Sequence, residues 1–286
     1  MEEKGTLYIC GTPIGNLEDI TIRQLKILRL VDFIACEDTR HTLKLLNRYN
    51  IKAKLMSFNE HNYKKRSDEV MGLLLEGKNV ALVSDAGMPF ISDPGGGIVW
   101  LCMNEGIKCT TVPGPTALVS GFILSGIESG TGGSFVFGGF FPKDNKGRKE
   151  EIDRLKSETR PTIYYEAPHR IKKTLDLLVK NLGGERKAAV VREITKVYEE
   201  SLSSTLGELL GHFDENEPRG EIVLVLSGAE KEAGIAEYDS ISIKEHVEMY
   251  LGTGLELKEA MKRAAKDRGV SKREIYAQIQ KDKQEV

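Results

Sequence analysis

The sequence is 286 residues long, with 40% hydrophobic and 29% charged residues. That is the make-up of a soluble globular protein, and it excludes a disordered chain, a collagen-like chain and a small disulfide scaffold. Lys and Arg number 41 against 43 Asp and Glu, and the net charge of −2 by itself argues against a nucleic-acid binder.

The length predicts about two domains. No apolar run reaches the ~18–20 residues of a membrane span. The N-terminus, MEEKGTLYIC, lacks the apolar stretch of a signal peptide, so a cytoplasmic protein is expected. Cys10, Cys36, Cys102 and Cys109 are scattered through apolar segments without a C-x-x-C. They read as core thiols, and with no ligand-spaced histidine pair no metal site is expected.

In chain order, TLYIC is the first predicted strand, followed by the turn GTPIGN. Thr21 and Gln24 form a capping box ahead of Ile22, Leu25 and Leu28 on one helical face. FIAC is the next strand, then a helix around Thr42 to Arg48. KLMSF, a helix ending near Glu76, VALVS, a helix through Trp100 and Met103, and KCTTV follow. Continuous apolar strands separated by helices predict a parallel sheet covered on both faces, forming an α/β domain over 1–115.

Pro113–Pro115 marks a boundary, and the next helix runs from Ala117 to Leu124. After the Gly-rich GIESGTGGS come a strand in FVFGGFF, a charged helix near Lys149–Lys156, the strand TIYYE and a helix near Ile171–Val179. AAVVR, VYEESL and EIVLVL are further strands, with a short helix near Leu206–Leu210. Strands follow one another more often here, which predicts a second α/β domain over 116–228 with a mixed sheet. AEKEAGIAEYDS reads as a linker, and 229–286 ends in a small helical region broken near Gly252-Thr253-Gly254 and Gly269. Its last two helices have the outline of a helix-turn-helix, or of a two-helix tail packed on the main body.

Ligands of open α/β sheets bind beyond the carboxyl ends of the strands. Four Gly- and Pro-rich or charged loops fall there: GTPIGN, CEDTRHT, SDAGMPFISDPGGG and VPGPT. None is a G-x-x-x-x-G-K-[ST] or G-x-G-x-x-G fingerprint, which disfavours a P-loop enzyme and a nicotinamide oxidoreductase. The absence of a dense cationic cluster within them points away from a polyphosphate. YYEAPHR, VVREITK and PRGE each join charges to the end of an apolar strand. Such charges need partners or a cleft, and three arriving together predict a cleft between two domains.

LYICGTPIGNLEDI, ACEDTRHTLKLL, SDAGMPFISDPG, VPGPTA, FVFGGFFP, YEAPHR, REITKVYEE and RGEIVLVL stand in a family's order and spacing. From about Leu7 to Leu226 the chain resembles the bacterial small-subunit ribosomal RNA methyltransferases that methylate a cytidine 2′-oxygen, a branch of the tetrapyrrole methylase superfamily. The resemblance implies two α/β domains of tetrapyrrole-methylase type with a cleft between them, S-adenosylmethionine as cofactor, and a homodimer acting on ribosomal RNA or the small subunit. The implied cofactor residues are Pro13, Ser84, Asp85, Ala86, Gly87 and Met88, then Ile91, Thr116, Ala117, Gly220, Glu221 and Ile222. The sequence departs from the usual pattern at Met88, Thr116 and Tyr198.

Methylating a ribose hydroxyl calls for a positioned base. Asp38, Lys196 and Glu37 are the candidates, and a lysine needs a depressed pKa to serve. The bland alternative makes EDTR and REITK structural ion pairs. Arg40, Lys44, Arg48, His169, Arg170 and Arg192 are the candidate RNA contacts. From Thr39 to Arg66 the only acid is Glu60, and Lys143, Lys146, Arg148 and Lys149 form a second basic cluster. The C-terminal stretch Lys258 to Lys283 is basic on balance and is a further candidate. The rival readings are a corrin-ring carbon methylase and a non-catalytic RNA-binding assembly factor.

Overall fold

In the computed structural model, five short apolar runs line up as one parallel sheet. They are β1 (Thr6–Cys10), β2 (Phe33–Cys36), β3 (Lys54–Ser57), β4 (Val80–Val83) and β5 (Lys108–Val112), in the order β3-β2-β4-β1-β5. The structure describes residues 3–93, 96–129, 133–229, 238, 241–268 and 270–284. Most of the predicted linker, 229–240, lies outside them, as do residues 130–132 of the Gly-rich stretch.

The inner strands β2 and β4 are wholly apolar because both faces are covered, whereas the edge strands β3 and β5 carry Lys54, Ser57, Lys108, Thr110 and Thr111. α3 (Tyr63–Leu75) and α4 (Gly97–Asn104) bring Val70, Leu74, Ile98 and Cys102 onto Leu7, Ile9 and Leu82. α1 (Ile22–Leu30) and α2 (Thr39–Arg48) bring Leu28 and Leu46 onto the opposite face, against Cys10, Ile34 and Val83. The Thr21–Gln24 capping box forms as predicted. α2 begins three residues before its predicted start because the Asp38 side chain accepts from the Arg40 N–H and caps it.

The second sheet has the order β6-β7-β10-β8-β9, from β6 (Val136–Phe140), β7 (Thr162–Glu166), β8 (Lys187–Arg192), β9 (Glu200–Thr205) and β10 (Ile222–Leu226). Only β6 and β7 pair in parallel, so the sheet is mixed, as predicted. α6 (Asn145–Leu155), α7 (Pro168–Leu182) and α8 (Leu206–Glu215) pack on one face through Leu155, Ile171, Leu175 and Leu209. The other face takes α5 (Ala117–Ser125) and, from the loop after β1, Ile14. Gly121 lets α5 approach β10, since a Cβ there would sit 2.7 Å from the Val223 side chain.

The predicted strand VYEESL is corrected in part. β9 starts only at Glu200, and Val197 and Tyr198 are 92% and 75% exposed. The chain leaving β8 turns through left-handed backbone at Glu193 (φ 53°) and Thr195 (φ 66°), and the Thr195 N–H donates to the Glu199 carboxylate at 2.6 Å. That turn takes up Val197 to Glu199, the first half of the predicted strand.

Met1–Ser227 forms one compact unit and Gly228–Val286 a second. The second contains α9 (Ile243–Gly252), α10 (Leu257–Asp267) and α11 (Lys272–Gln284) around Val247, Ala260, Met261, Ala264 and Ile275. Its helices thus close a core of their own. The Arg268 Nε donates to the buried His246 Nδ1 at 3.0 Å.

Candidate functional site

The loops at the carboxyl ends of β1, β2 and β4 face the second sheet across a cavity of about 400 Å³. That size falls in the range of small-molecule sites, ~300–1,000 Å³. The loop after β4 supplies Asp85 to Met88 and Ile91 to Asp93. Glu37 comes from the end of β2, and Thr116 and Ala117 from the start of α5. The second sheet closes the cavity with Phe140, Tyr165, Glu166, Ile194 and Gly220 to Val223.

The first wall is built by backbone. Thr12 and Gly87 exchange N–H to carbonyl bonds of 2.8 and 3.1 Å, and Gly87 supplies the left-handed φ of +81° that the turn needs. The Thr12 hydroxyl donates to the Ser84 carbonyl at 3.0 Å, and the Ser84 hydroxyl donates to the Gly87 carbonyl at 3.0 Å. Ser84 is therefore buried behind the loop rather than in the lining, and Pro13 is likewise buried outside it. The other predicted cofactor residues, Asp85 to Met88, Ile91, Thr116, Ala117 and Gly220 to Ile222, all line the cavity.

Five lining residues carry carboxylates, Glu37, Asp85, Asp93, Glu166 and Glu221, and none of the described lining residues is Lys or Arg. Burial, then the negative charges of Asp93 and Asp85, pushes the Glu37 carboxyl up to about 7. Burial and the Asp85 charge push Asp93 up to about 6. The Asp85 N–H points at Glu37 Oε1 at 3.4 Å, and the Asp38 N–H donates to Asp85 Oδ1 at 3.1 Å. These bonds tie the ends of β2 and β4 together. The remaining walls are apolar, with Phe140 and Tyr165 edge-to-face at 5.7 Å.

Of the three candidate bases only Glu37 lines the cavity. The Asp38 carboxylate is held by the Arg40 side chain and backbone N–H, well below the usual carboxylate range. Lys196 Nζ donates to Glu193 at 2.9 Å and Glu221 at 3.0 Å. Partial burial lowers the Lys196 pKa, but these two carboxylates outweigh it and leave it raised. The depressed lysine that a base requires is therefore not what the fold provides. Glu193 also fixes Gly220 (φ +80°), where a Cβ would fall 2.1 Å from Glu193 Oε1.

The candidate RNA contacts separate. Arg40, Lys44 and Arg48 are exposed on α2. Arg192 is taken up by Glu200 at 2.6 Å across β8 and β9. His169 and Arg170 line a second cavity, of about 370 Å³, together with Lys143 and Arg148. Sequence reasoning missed Ile14, Ser92, Asp93, Phe140, Tyr165 and Ile194 as lining residues. All six lay within the quoted motifs, but Ile14, Phe140, Tyr165 and Ile194 look like ordinary core there.

The family model described as Tetrapyrrole (Corrin/Porphyrin) Methylases matches residues 6–210. The chain belongs to the tetrapyrrole methylase family. Among its relatives named ribosomal RNA small subunit methyltransferase I, one from Halalkalibacterium halodurans is 44% identical over 277 residues, covering 96% of this chain and 94% of that protein. Another, from Thermotoga maritima, is 51% identical over 227 residues, covering 79% of this chain and all of that protein. The Escherichia coli O157:H7 protein of that name is 39% identical over 275 residues, 96% of this chain and 94% of its own length. Among solved tetrapyrrole methylases, the cobalt precorrin-4 methyltransferase shares the fold with a TM-score of 0.58 at 18% identity, covering 78% of this chain and 94% of its own. Uroporphyrin-III-C-methyltransferase from Thermus thermophilus gives 0.55 at 19%, covering 79% and 95%.

Proposed function

We propose that this tetrapyrrole methylase transfers a methyl group from S-adenosylmethionine to a ribose 2′-oxygen of a cytidine in small-subunit ribosomal RNA. The observation that carries the reading is the kinship, over 96% of the chain, with methyltransferases named for that RNA. The corrin-ring enzymes share only the fold, at 18–19% identity.

The cavity fits the cofactor. Carboxylates without a lysine or arginine suit a cationic ligand that carries no phosphate, and apolar walls suit a purine and exclude water. Asp85 and Asp93 would hold the positive end, and Ile14, Ile194 and Val223 the apolar parts. When bound, S-adenosylmethionine supplies a methyl group on a cationic sulfur. Glu37 Oε1 faces the Asp85 N–H, and among the described residues no hydrogen bond engages Oε2, which is left to take the ribose hydroxyl proton. A carboxyl near 7 is matched to that task at neutral pH. Lys196, charged between Glu193 and Glu221, positions the β8 turn against β10.

Methyl-labelled S-adenosylmethionine offered with small subunits lacking their native modifications tests the reading. Label in an alkali-resistant dinucleotide blocked at a cytidine ribose is expected. Label only in a tetrapyrrole precursor, or in nothing, overturns it. In the same assay Asp38→Asn, which retains a capping side chain, is expected to stay within about threefold of the parent enzyme. A loss beyond about a hundredfold would return Asp38 to the reacting groups.

A further inference from the structure

We infer that the second cavity is a phosphodiester subsite, which seats the backbone of the substrate RNA beside the methyl-transfer cavity. This inference rests on the reading above and adds where the strand is held. The juxtaposition is of five side chains, Lys143, Arg148, His169, Arg170 and Lys173, around about 370 Å³ of open space. No acidic residue is among the described residues that line it.

Two of the cations are fixed in place before any ligand arrives. Arg170 Nη2 donates to the Phe141 carbonyl at 2.7 Å, and Arg148 Nε donates to the Pro142 carbonyl at 3.1 Å. Both guanidiniums are thus anchored to one short stretch of backbone leaving β6, and Arg170 is braced a second time by Glu166, 3.4 Å from its Nε. A guanidinium held this way loses little freedom on meeting a phosphate. Lys143 and Lys173 are exposed, and among the described residues neither has a recorded ion-pair partner. Surface lysines of this protein often do have one: Lys146, Lys156, Lys172 and Lys180 all lie within 4 Å of a carboxylate. Two unneutralised lysines beside two braced arginines make a site for an anion with several oxygens, which phosphate supplies.

The subsite shares a wall with the first cavity. Glu166, which lines the first, lies 3.4 Å from Arg170, which lines the second, and Ala167 and Pro168 join them in sequence. A strand whose ribose enters the acidic cavity has to keep its phosphates out of it, because the carboxylates there repel them. The neighbouring basic cavity takes the adjoining phosphate. The division between an acidic chamber for the cationic donor and a basic one for the acceptor's backbone orients the strand.

The test uses the full chain and its small-subunit substrate. The double variant Lys143→Gln, Lys173→Gln alters two exposed side chains, and Lys143→Arg, Lys173→Arg is its charge-keeping counterpart. Affinity for the subunit is measured across a salt series, alongside S-adenosylmethionine affinity by calorimetry. The glutamine pair is expected to weaken RNA binding at least tenfold at low salt. Its slope of log K against log salt should be shallower by about 0.7–1.4, one or two phosphates' worth for a single strand. The arginine pair should restore both, and cofactor affinity should match the parent in each. Unchanged RNA affinity, or weaker affinity with an unchanged slope, overturns the subsite while leaving the methylation reading intact. A parent enzyme that neither binds nor methylates the subunit overturns that reading, and the subsite with it.

Discussion

Glu37→Gln is expected to lower the rate of methyl transfer by about 10²–10⁴, the usual contribution of a positioned base. A carboxylate accepts a proton only when ionised. With Glu37 pushed up to about 7 by burial and by Asp93 and Asp85, its active form is lost as pH falls through that value. The parent enzyme's kcat/KM should therefore drop about tenfold per pH unit below 7, and the limb should vanish in the glutamine variant. An ordinary carboxylate would hold its activity down to ~4.3. A parent profile flat from pH 8 to pH 5 would remove Glu37 as the base. A variant with unchanged single-turnover rate but weaker cofactor binding would make it a holder of the cation instead.

Arg170→Met is expected to cost about 3 kcal/mol of stability, at the low end of the range for stripping one partner from a buried ion pair. Glu166 is 2% exposed and accepts from the Thr174 hydroxyl at 2.6 Å and from the Ala167 N–H at 2.8 Å. Arg170 is the one cation recorded beside it among the described residues, and it also satisfies the Phe141 carbonyl. Thermal unfolding should shift down by roughly 6–12 °C for a unit of this size. Adding Glu166→Gln should recover most of the loss, since the stranded carboxylate is then gone. A single-variant cost below about 1 kcal/mol would show that Thr174 and Ala167 suffice to hold Glu166.

The parallel sheet was legible because buried strands flanked by helices spell uninterrupted apolar runs, as in TLYIC and VALVS. The loop 84–91 was legible in the resemblance, and the backbone explains why: Gly87 must turn left-handed to meet Thr12. Other parts were hidden by the same physics. Phe140 and Tyr165 lie in apolar strands, and no local pattern tells a cavity wall from a core wall. The roles of Glu37 and Asp38, adjacent in sequence, differ because one faces the cavity and the other caps α2. Lys196 was a candidate base, but two carboxylates hold it, and the nearby cation Arg192 is bound to Glu200. Glu193 lies one turn from Lys196 and Glu200 across one hairpin from Arg192, but Glu221 comes from the distant start of β10, and no spacing shows which of these charges pair.

The two compact units each close their own core, and every residue lining the acidic cavity belongs to the first. Loss of packing in one core therefore need not carry over to the other. The three C-terminal helices supply none of the described side chains that line the acidic cavity. The shared fold with the cobalt precorrin-4 methyltransferase covers 78% of the chain, and a fold alone does not set the target.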